Sequence, residues 1–337
     1  MATIKQIAEK ARVSIATVSR ILNLDETLSV ADETRARVIR IAEELEYTPR
    51  RKKKRQVDPT AQPERKIALL QWHSEQQELN DLFYLQIQNA IEQEAIALGY
   101  RLAYVTLEDF THAGDDTYAG ILAVGKYDDS EVQAIANKEL PVVFVGLNAL
   151  MYGFDSIGND FTSPVKWIID HYQAQGISDI GLISGEEPVS NSLDTQRDPR
   201  LEAFELFMKR AHIYNPDQVF LGDFSPASGY ALMNQAITKL GNDLPHGFII
   251  GNDAMAVGVV RALNENNILI PDRVSLISFN DVTVAKFTTP KLSTVHVHTG
   301  LVGKQAMQML IKRLKNPDRV PQFVTFGTEI IYRESSK

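Results

Sequence analysis

The sequence predicts a chain of two parts: a three-helix headpiece of helix-turn-helix layout in residues 1–48, and an α/β body of two doubly wound parallel-sheet subdomains filling the rest of 337 residues. Three observations carry this. Residues 3–47 hold short apolar stripes at helical spacing, interrupted by a tight turn. From Lys66 onward, short continuous apolar runs alternate with amphipathic segments, as parallel strands covered on both faces require. Charge is also segregated: residues 1–57 carry +5 and the remainder −13, for a net −8. A basic end on an acidic body suits a chain that grips phosphate with one end while its bulk avoids nonspecific adhesion.

In the headpiece, Ile4, Ile7, Ala8 and Ala11 form one helical stripe, and Thr3 with Gln6 makes a capping box. A turn at Arg12-Val13 follows. Ser14 caps a second helix that turns Val18, Ile21 and Leu22 inward and leaves Ile15, Ala16, Ser19 and Arg20 outside. Val38, Ile41, Ala42 and Leu45 give the third stripe. Periodicity alone fits an ordinary small helical domain as well as a unit that lays one helix in a DNA major groove.

The residues themselves go further. Ala16-Thr17-Val18-Ser19-Arg20-Ile21-Leu22-Asn23, then Glu33-Thr34-Arg35 and Leu45-Glu46-Tyr47, resemble the headpiece of the LacI/GalR family of sugar-responsive repressors. The resemblance runs through nearly the whole chain, with a texture nearest the galactose regulators and the evolved β-galactosidase repressor. It implies double-stranded operator DNA as partner. Arg20 is then the expected base reader, its guanidinium matching guanine O6 and N7. Ile15 and Ala16 stand where relatives vary their base-reading pair, while Ser14, Thr17, Ser19 and Asn23 are expected phosphate contacts that set register. Two departures appear: Arg12 replaces the usual turn glycine, a cost on the order of 1 kcal/mol if φ is positive, and Ala31 takes a cap position, leaving Ser29 as the nearer hydroxyl.

Residues 49–64 read as a basic linker, with Arg50-Arg51-Lys52-Lys53-Lys54-Arg55 followed by Asp58, Pro59 and Pro63. In the resembling family this segment forms a hinge helix that wedges a leucine into the minor groove. Its alanine-arginine-x-leucine pattern is missing here, so the linker is expected to be disordered off DNA and to act through phosphate charge.

In the body, strands are expected at Ile67–Leu70, Leu102–Val105, Gly120–Val124 and Val142–Val145, then at Ile180–Ile183, Phe248–Gly251 and Val274–Phe279. Helices are expected over Leu85–Leu98, Val165–Ala174, Asp198–Arg210, Gly229–Leu240 and Met255–Asn264. The alternation gives two doubly wound halves. By resemblance these are of periplasmic-binding-protein type and together form the effector-binding and dimerisation domain, residues 65–337. Subdomain one is residues 65–160 and 291–322; subdomain two is residues 161–290 and 323–337. The chain crosses near Phe161, Pro290 and Phe323, and a ligand would sit between facing strand ends.

Motif matching places Asp160 in Gly158-Asn159-Asp160, Arg200 in Arg200-Leu201-Glu202-Ala203-Phe204, Asn252 in Gly251-Asn252-Asp253 and Asn280 in Ser278-Phe279-Asn280-Asp281 at the family's effector positions. Phe224 in Gly222-Asp223-Phe224-Ser225 takes the place of a cleft aromatic. Carboxylate, guanidinium and amide groups can chelate neighbouring hydroxyls, and an aromatic face packs on the C–H patch of a pyranose. Each residue also has a plainer role open to it: Asp160 as a helix cap, Arg200 in a surface ion pair, Asn252 and Asn280 in turns. Many relatives carry aspartate where Asn280 stands, and an amide adds a donor while removing charge.

The absence of cysteine excludes disulfides and thiolate metal sites, and no apolar run reaches membrane-spanning length. With a capped helix instead of a signal peptide at the start, the expectation is a soluble cytoplasmic protein. No Gly-x-Gly-x-x-Gly or Walker segment occurs, and Gly300-Leu301-Val302-Gly303-Lys304-Gln305 has neither the spacing nor the Ser/Thr of a phosphate loop. His296-Val297-His298 reads as strand surface, with no acidic partner nearby in sequence. The reading is therefore no enzyme, no metal and no cofactor beyond a small-molecule sugar effector. The helix expected at Leu85–Leu98 is the candidate dimer face that the resemblance implies, and a chain end without heptads favours a homodimer. Together these give a repressor of a galactoside-utilisation operon released from a palindromic operator by galactose or a galactoside. Two alternatives stay open: a regulator of the same fold with another effector or corepressor, and a cytoplasmic sugar-binding protein without operator control.

Overall fold

Buried apolar runs become strands where the sequence expects them, and the polar ends of those strands converge on one cleft. The computed structural model describes residues 4–11, 13–14, 17–18, 30, 34, 37–38, 41, 66–72, 82–112, 118–186 and 197–337. The expectations for Arg12, Ile15, Ala16, Ser19, Arg20, Asn23, Ser29, Ala31 and the linker lie outside the described residues. The chain divides into two units, residues 1–61 and 62–337.

In the first unit, α1 (Ile4–Ala11) buries Ala8 and Ala11, and Val13 N–H closes it on the Ala8 carbonyl at 3.1 Å. Ser14 starts the next helical turn, its Oγ accepting from Thr17 N–H at 3.0 Å while Val18 N–H reaches the Ser14 carbonyl at 3.0 Å. Val18, Val38 and Ile41 are buried. Arg37 donates through Nε to the Ala11 carbonyl at 3.2 Å, tying helical backbone far along the chain to the C-terminus of α1, where a cation also meets the negative end of the helix dipole.

The second unit holds two six-stranded sheets. The first contains β1 (Lys66–Gln71), β2 (Arg101–Val105), β3 (Gly120–Val124), β4 (Val142–Val145) and β5 (Asp155–Asn159), with α2 (Phe83–Ala97), α3 (Leu107–His112) and α4 (Asp129–Ala136) between them. The chain then runs through α5 (Thr162–Ala174), β6 (Ile180–Gly185), α6 (Pro199–Arg210), β7 (Val219–Gly222), α7 (Pro226–Leu240), β8 (Gly247–Ile250), α8 (Asp253–Glu265), β9 (Ser275–Asn280) and β10 (Ser293–His296). It closes with α9 (Thr299–Lys315), β11 (Phe323–Phe326) and β12 (Glu329–Ile331). The strand orders are β11-β5-β4-β3-β1-β2 and β12-β10-β9-β8-β6-β7, parallel except for the antiparallel pair β10–β12.

These orders correct two expected boundaries. β10 pairs with β9, so the second crossing falls at residues 297–298 instead of near Pro290; β11 pairs with β5, so the third falls at 327–328 instead of near Phe323. The reason is that both strands are four residues long: Ser293-Thr294-Val295-His296 is mostly polar, and Phe323-Val324-Thr325-Phe326 carries no sign of which sheet it joins.

Helix α9 returns to the first sheet and packs on α2. A methyl group at Gly303 would collide with the Ile87 carbonyl oxygen and lie 2.7 Å from Ala90 Cβ, so the helices meet backbone to backbone there. Gln308 donates to Glu94 at 2.8 Å and Thr299 to Gln86 at 3.0 Å along the same seam. The segment resembling a phosphate loop is thus the first turns of α9.

Candidate functional site

Strand ends from both sheets face a cleft of about 680 Å3. From the first sheet come Asn159 at the end of β5 with Asp160 next to it, Lys126 after β3, and Phe161; from the second come Asp198, Arg200, Phe224 and Asn280. Four of the five expected effector residues therefore line it, and Asn252 does not.

Asp160 combines two roles. Its Oδ1 accepts from the N–H groups of Thr162 at 2.8 Å and Ser163 at 3.0 Å, opening α5 as a helix cap, while the residue borders the cleft. Beside it, Asn159 Oδ1 is shielded from solvent and has no hydrogen-bond partner. A shielded acceptor of this kind costs free energy until something donates to it.

Arg200 is fixed at the start of α6. Nε and Nη2 each donate at 2.7 Å to the two oxygens of Asp198, and Nη1 donates to the Gly251 carbonyl at 2.5 Å. Three rings surround the guanidinium, with its centre 4.7 Å from Phe224, 5.0 Å from Phe161 and 5.7 Å from Phe279. Burial by itself would raise the Asp198 carboxyl, but the Arg200 charge and hydrogen bonds, with Lys126 at 3.7 Å, hold it below the usual carboxylate range. The pair is a bidentate, charge-assisted clamp in a buried place, and the surface ion pair considered for Arg200 from sequence is not what forms. Asp198 is the missed partner; an acidic residue two before an arginine at a Pro-started helix was its signal.

Phe224 reaches the cleft through space left by two glycines: a Cβ at Gly185 would lie 2.5 Å from its ring, and one at Gly251 would lie 3.0 Å away. Asn252 acts behind it. Fully buried, it caps α8 by accepting from Met255 N–H at 2.8 Å and donates from Nδ2 to the Phe224 carbonyl at 3.2 Å. Its place is to hold the aromatic's backbone, since the cap geometry turns the amide away from the cleft.

Asn280 ends β9 with φ 104° and Asp281 follows with φ 53°, two consecutive non-glycine residues in the left-handed region. Such backbone persists only where neighbours over-determine it. Here Asp281 accepts from Arg333 Nη2 at 2.6 Å and meets His296 Nδ1 at 3.0 Å. Asp253, also missed from sequence, anchors the same corner. It accepts from Thr294 at 2.7 Å, from Val282 N–H at 2.8 Å and from Ser278 Oγ, joining the start of α8 to β9 and β10.

Among the expected DNA-contacting residues, Ser14 is exposed and Thr17 partly exposed, their hydroxyls 2.8 Å apart at the start of a helical turn. Ile15, Ala16, Ser19, Arg20 and Asn23 lie outside the described residues.

Helix α1 with the Ser14-capped turn after it, and a two-lobed body with a polar, aromatic-walled cleft, are the parts of a DNA-binding transcriptional regulator. The chain belongs to the lacI family of bacterial regulatory proteins, whose model matches residues 3–50, and a periplasmic binding protein-like domain matches residues 169–336. It is 51% identical over 336 residues to the HTH-type transcriptional regulator GalR of Lacticaseibacillus casei, covering 100% of both chains. Over 99% of both chains it is 34% identical to the HTH-type transcriptional regulator GanR of Bacillus subtilis. The fold is shared with a transcriptional regulator CelR–cellobiose complex (TM-score 0.72, 22% identity, 100% of both chains covered). It is shared too with a lac repressor dimer bound to operator and the anti-inducer ONPF (TM-score 0.70, 22% identity, 99% of both chains covered). The protein is a transcriptional regulator and not an enzyme. Among the described residues no helix is long and apolar enough to cross a membrane.

Proposed function

We propose that the protein is a cytoplasmic repressor of a galactoside-utilisation operon, binding a palindromic operator as a homodimer and releasing it when galactose or a galactoside occupies the cleft. The observation that carries the effector class is charge balance around an aromatic wall. Lys126, Arg197 and Arg200 are matched by Asp160, Asp198 and Glu202, and Phe83, Phe161 and Phe224 supply apolar faces. A neutral polyol fits such a lining; a phosphate ester or dicarboxylate would meet as many carboxylates as cations. The shielded Asn159 oxygen is an acceptor for one hydroxyl, and Asn280 offers both donor and acceptor to another. The GalR name of the 51% identical relative supports galactose over other sugars.

The dimer reading rests on α2. One face packs on α9, while Ile96 and neighbouring Leu98 are exposed, as is Tyr104 of the edge strand β2. Closure of the cleft by a sugar would then disfavour the headpiece spacing the operator needs, with a coupling of about 1–3 kcal/mol. The test is fluorescence anisotropy of the protein on a palindromic operator from its own promoter, at fixed salt, with galactose, lactose, allolactose, glucose and adenine added in turn. Release by a galactoside alone supports the reading. Tight binding indifferent to every sugar overturns the effector assignment and leaves the regulator class standing.

A further inference from the structure

The second and third crossings between the lobes carry a cluster that neither operator binding nor the cleft uses. His296 ends β10, His298 lies two residues on in the crossing, and Glu329 begins β12. His296 and Glu329 are direct partners in the antiparallel β10–β12 ladder, so their side chains rise from the same face. One nitrogen from each imidazole and one Glu329 oxygen lie within 4.8 Å of one another, and the two rings meet edge to face with centroids 4.8 Å apart. Sequence alone could not show this, because the carboxylate partner enters the cluster only through the fold.

The surroundings are those of an oriented ligand. His296 Nδ1 is 3.0 Å from Asp281 Oδ2, and Asp281 is held in turn by Arg333 at 2.6 Å. A carboxylate on one imidazole nitrogen fixes the ring and its tautomer and leaves the other nitrogen for an ion. The His296 side chain is 36% exposed and Glu329 is exposed, so an ion has access. Two imidazoles and one carboxylate are the donor set of borderline divalent transition ions, which bind them at about 2.0–2.2 Å. That requires ligand atoms about 3.4 Å apart, a contraction for which the partly exposed His298 ring and the exposed Glu329 side chain must both rotate.

We propose that His296, His298 and Glu329 form a binding site for a zinc-class divalent transition-metal ion, with Asp281 as the positioning residue for His296. Three protein ligands leave a fourth position for water. Because His296 and Glu329 border the crossings at 297–298 and 327–328 and His298 lies within the first, an ion there clasps two of the three lobe connections and stiffens them.

The test uses full-length, tag-free protein stripped with chelator and titrated at pH 7.5 with Zn2+ by calorimetry and with Co2+ by visible absorption. The expected result is one saturable equivalent per chain, with Co2+ bands of low coordination number. His298→Asn and Glu329→Gln each weaken binding by about tenfold or more while far-UV circular dichroism and apo-protein melting stay unchanged. Glu329 is exposed, so its variant keeps the test open if the histidine variant misfolds. Absence of a saturable equivalent overturns the proposal, and so does an equivalent that both folded variants retain at unchanged affinity, since the ion would then sit on other histidines.

Discussion

Replacing Asp253 by asparagine should flatten the pH dependence of the body's stability. Burial, partly offset by hydrogen bonds from Ser278, Thr294 and Val282 N–H, pushes the Asp253 carboxyl from 3.8 up to about 7. A folded-state pKa above the unfolded one means that the folded chain takes up a proton. The contribution is therefore fully present below pH 3.8 and is lost as pH rises through about 7. That gap corresponds to about 4 kcal/mol between the two limits. Asparagine keeps the shape and removes the charge: its oxygen can accept from Val282 N–H, while the Ser278 and Thr294 hydroxyls rotate to accept from the amide. Both tryptophans, Trp72 and Trp167, lie in the body, so fluorescence-monitored urea unfolding reports it directly. Measured from pH 4 to 8, the wild type should lose stability relative to D253N by an amount approaching that figure. Parallel curves for the two proteins would refute the argument, because they would mean that Asp253 holds the same charge folded and unfolded.

Four further outcomes are expected. Gly303→Val should lower the unfolding midpoint by the equivalent of about 1–3 kcal/mol, since a side chain there collides with the Ile87 backbone. Phe224→Ala should raise the galactoside concentration needed for operator release by about tenfold while leaving sugar-free operator affinity unchanged, as anisotropy titration would read. Ser14→Ala removes the hydroxyl that accepts from Thr17 N–H and should cost about 1 kcal/mol of headpiece stability, seen as weaker operator binding with unchanged sequence preference. Arg20→Ala should relax selectivity at one operator position in a binding-site selection, with other positions read as before.

The sequence makes legible what depends on apolar periodicity and hides what depends on polar burial. Strands such as Gly120–Val124 and Val142–Val145 stand at their expected bounds, because every residue in them is buried and none is polar. β5 escapes notice: Asp155 and Ser156 look like loop residues, yet both are buried. Asp155 takes Arg313 Nε at 2.9 Å and Gln322 N–H at 2.8 Å, and Ser156 accepts from Ala149 N–H at 3.2 Å. Each of these partners but Ala149 lies more than 150 residues away, beyond what any window can register. The site divides similarly. Asp160, Arg200, Phe224 and Asn280 follow from motif position, whereas the inward turn of Asn252 and the Asp198 clamp follow from helix starts whose orientation only the assembled sheet fixes.

Residues 323–337 supply an edge strand to each lobe, β11 beside β5 and β12 beside β10. Ser335 adds hydrogen bonds to Leu276 and Ser293 in the second sheet. Each half of the body is thus closed by residues 323–337, one strand to each sheet. During synthesis the headpiece emerges long before either lobe can be completed, so the nascent chain would present its basic DNA-binding end without a finished body. Loss of residues 323–337 would harm both lobes together, not trim one, so neither half is self-sufficient without them.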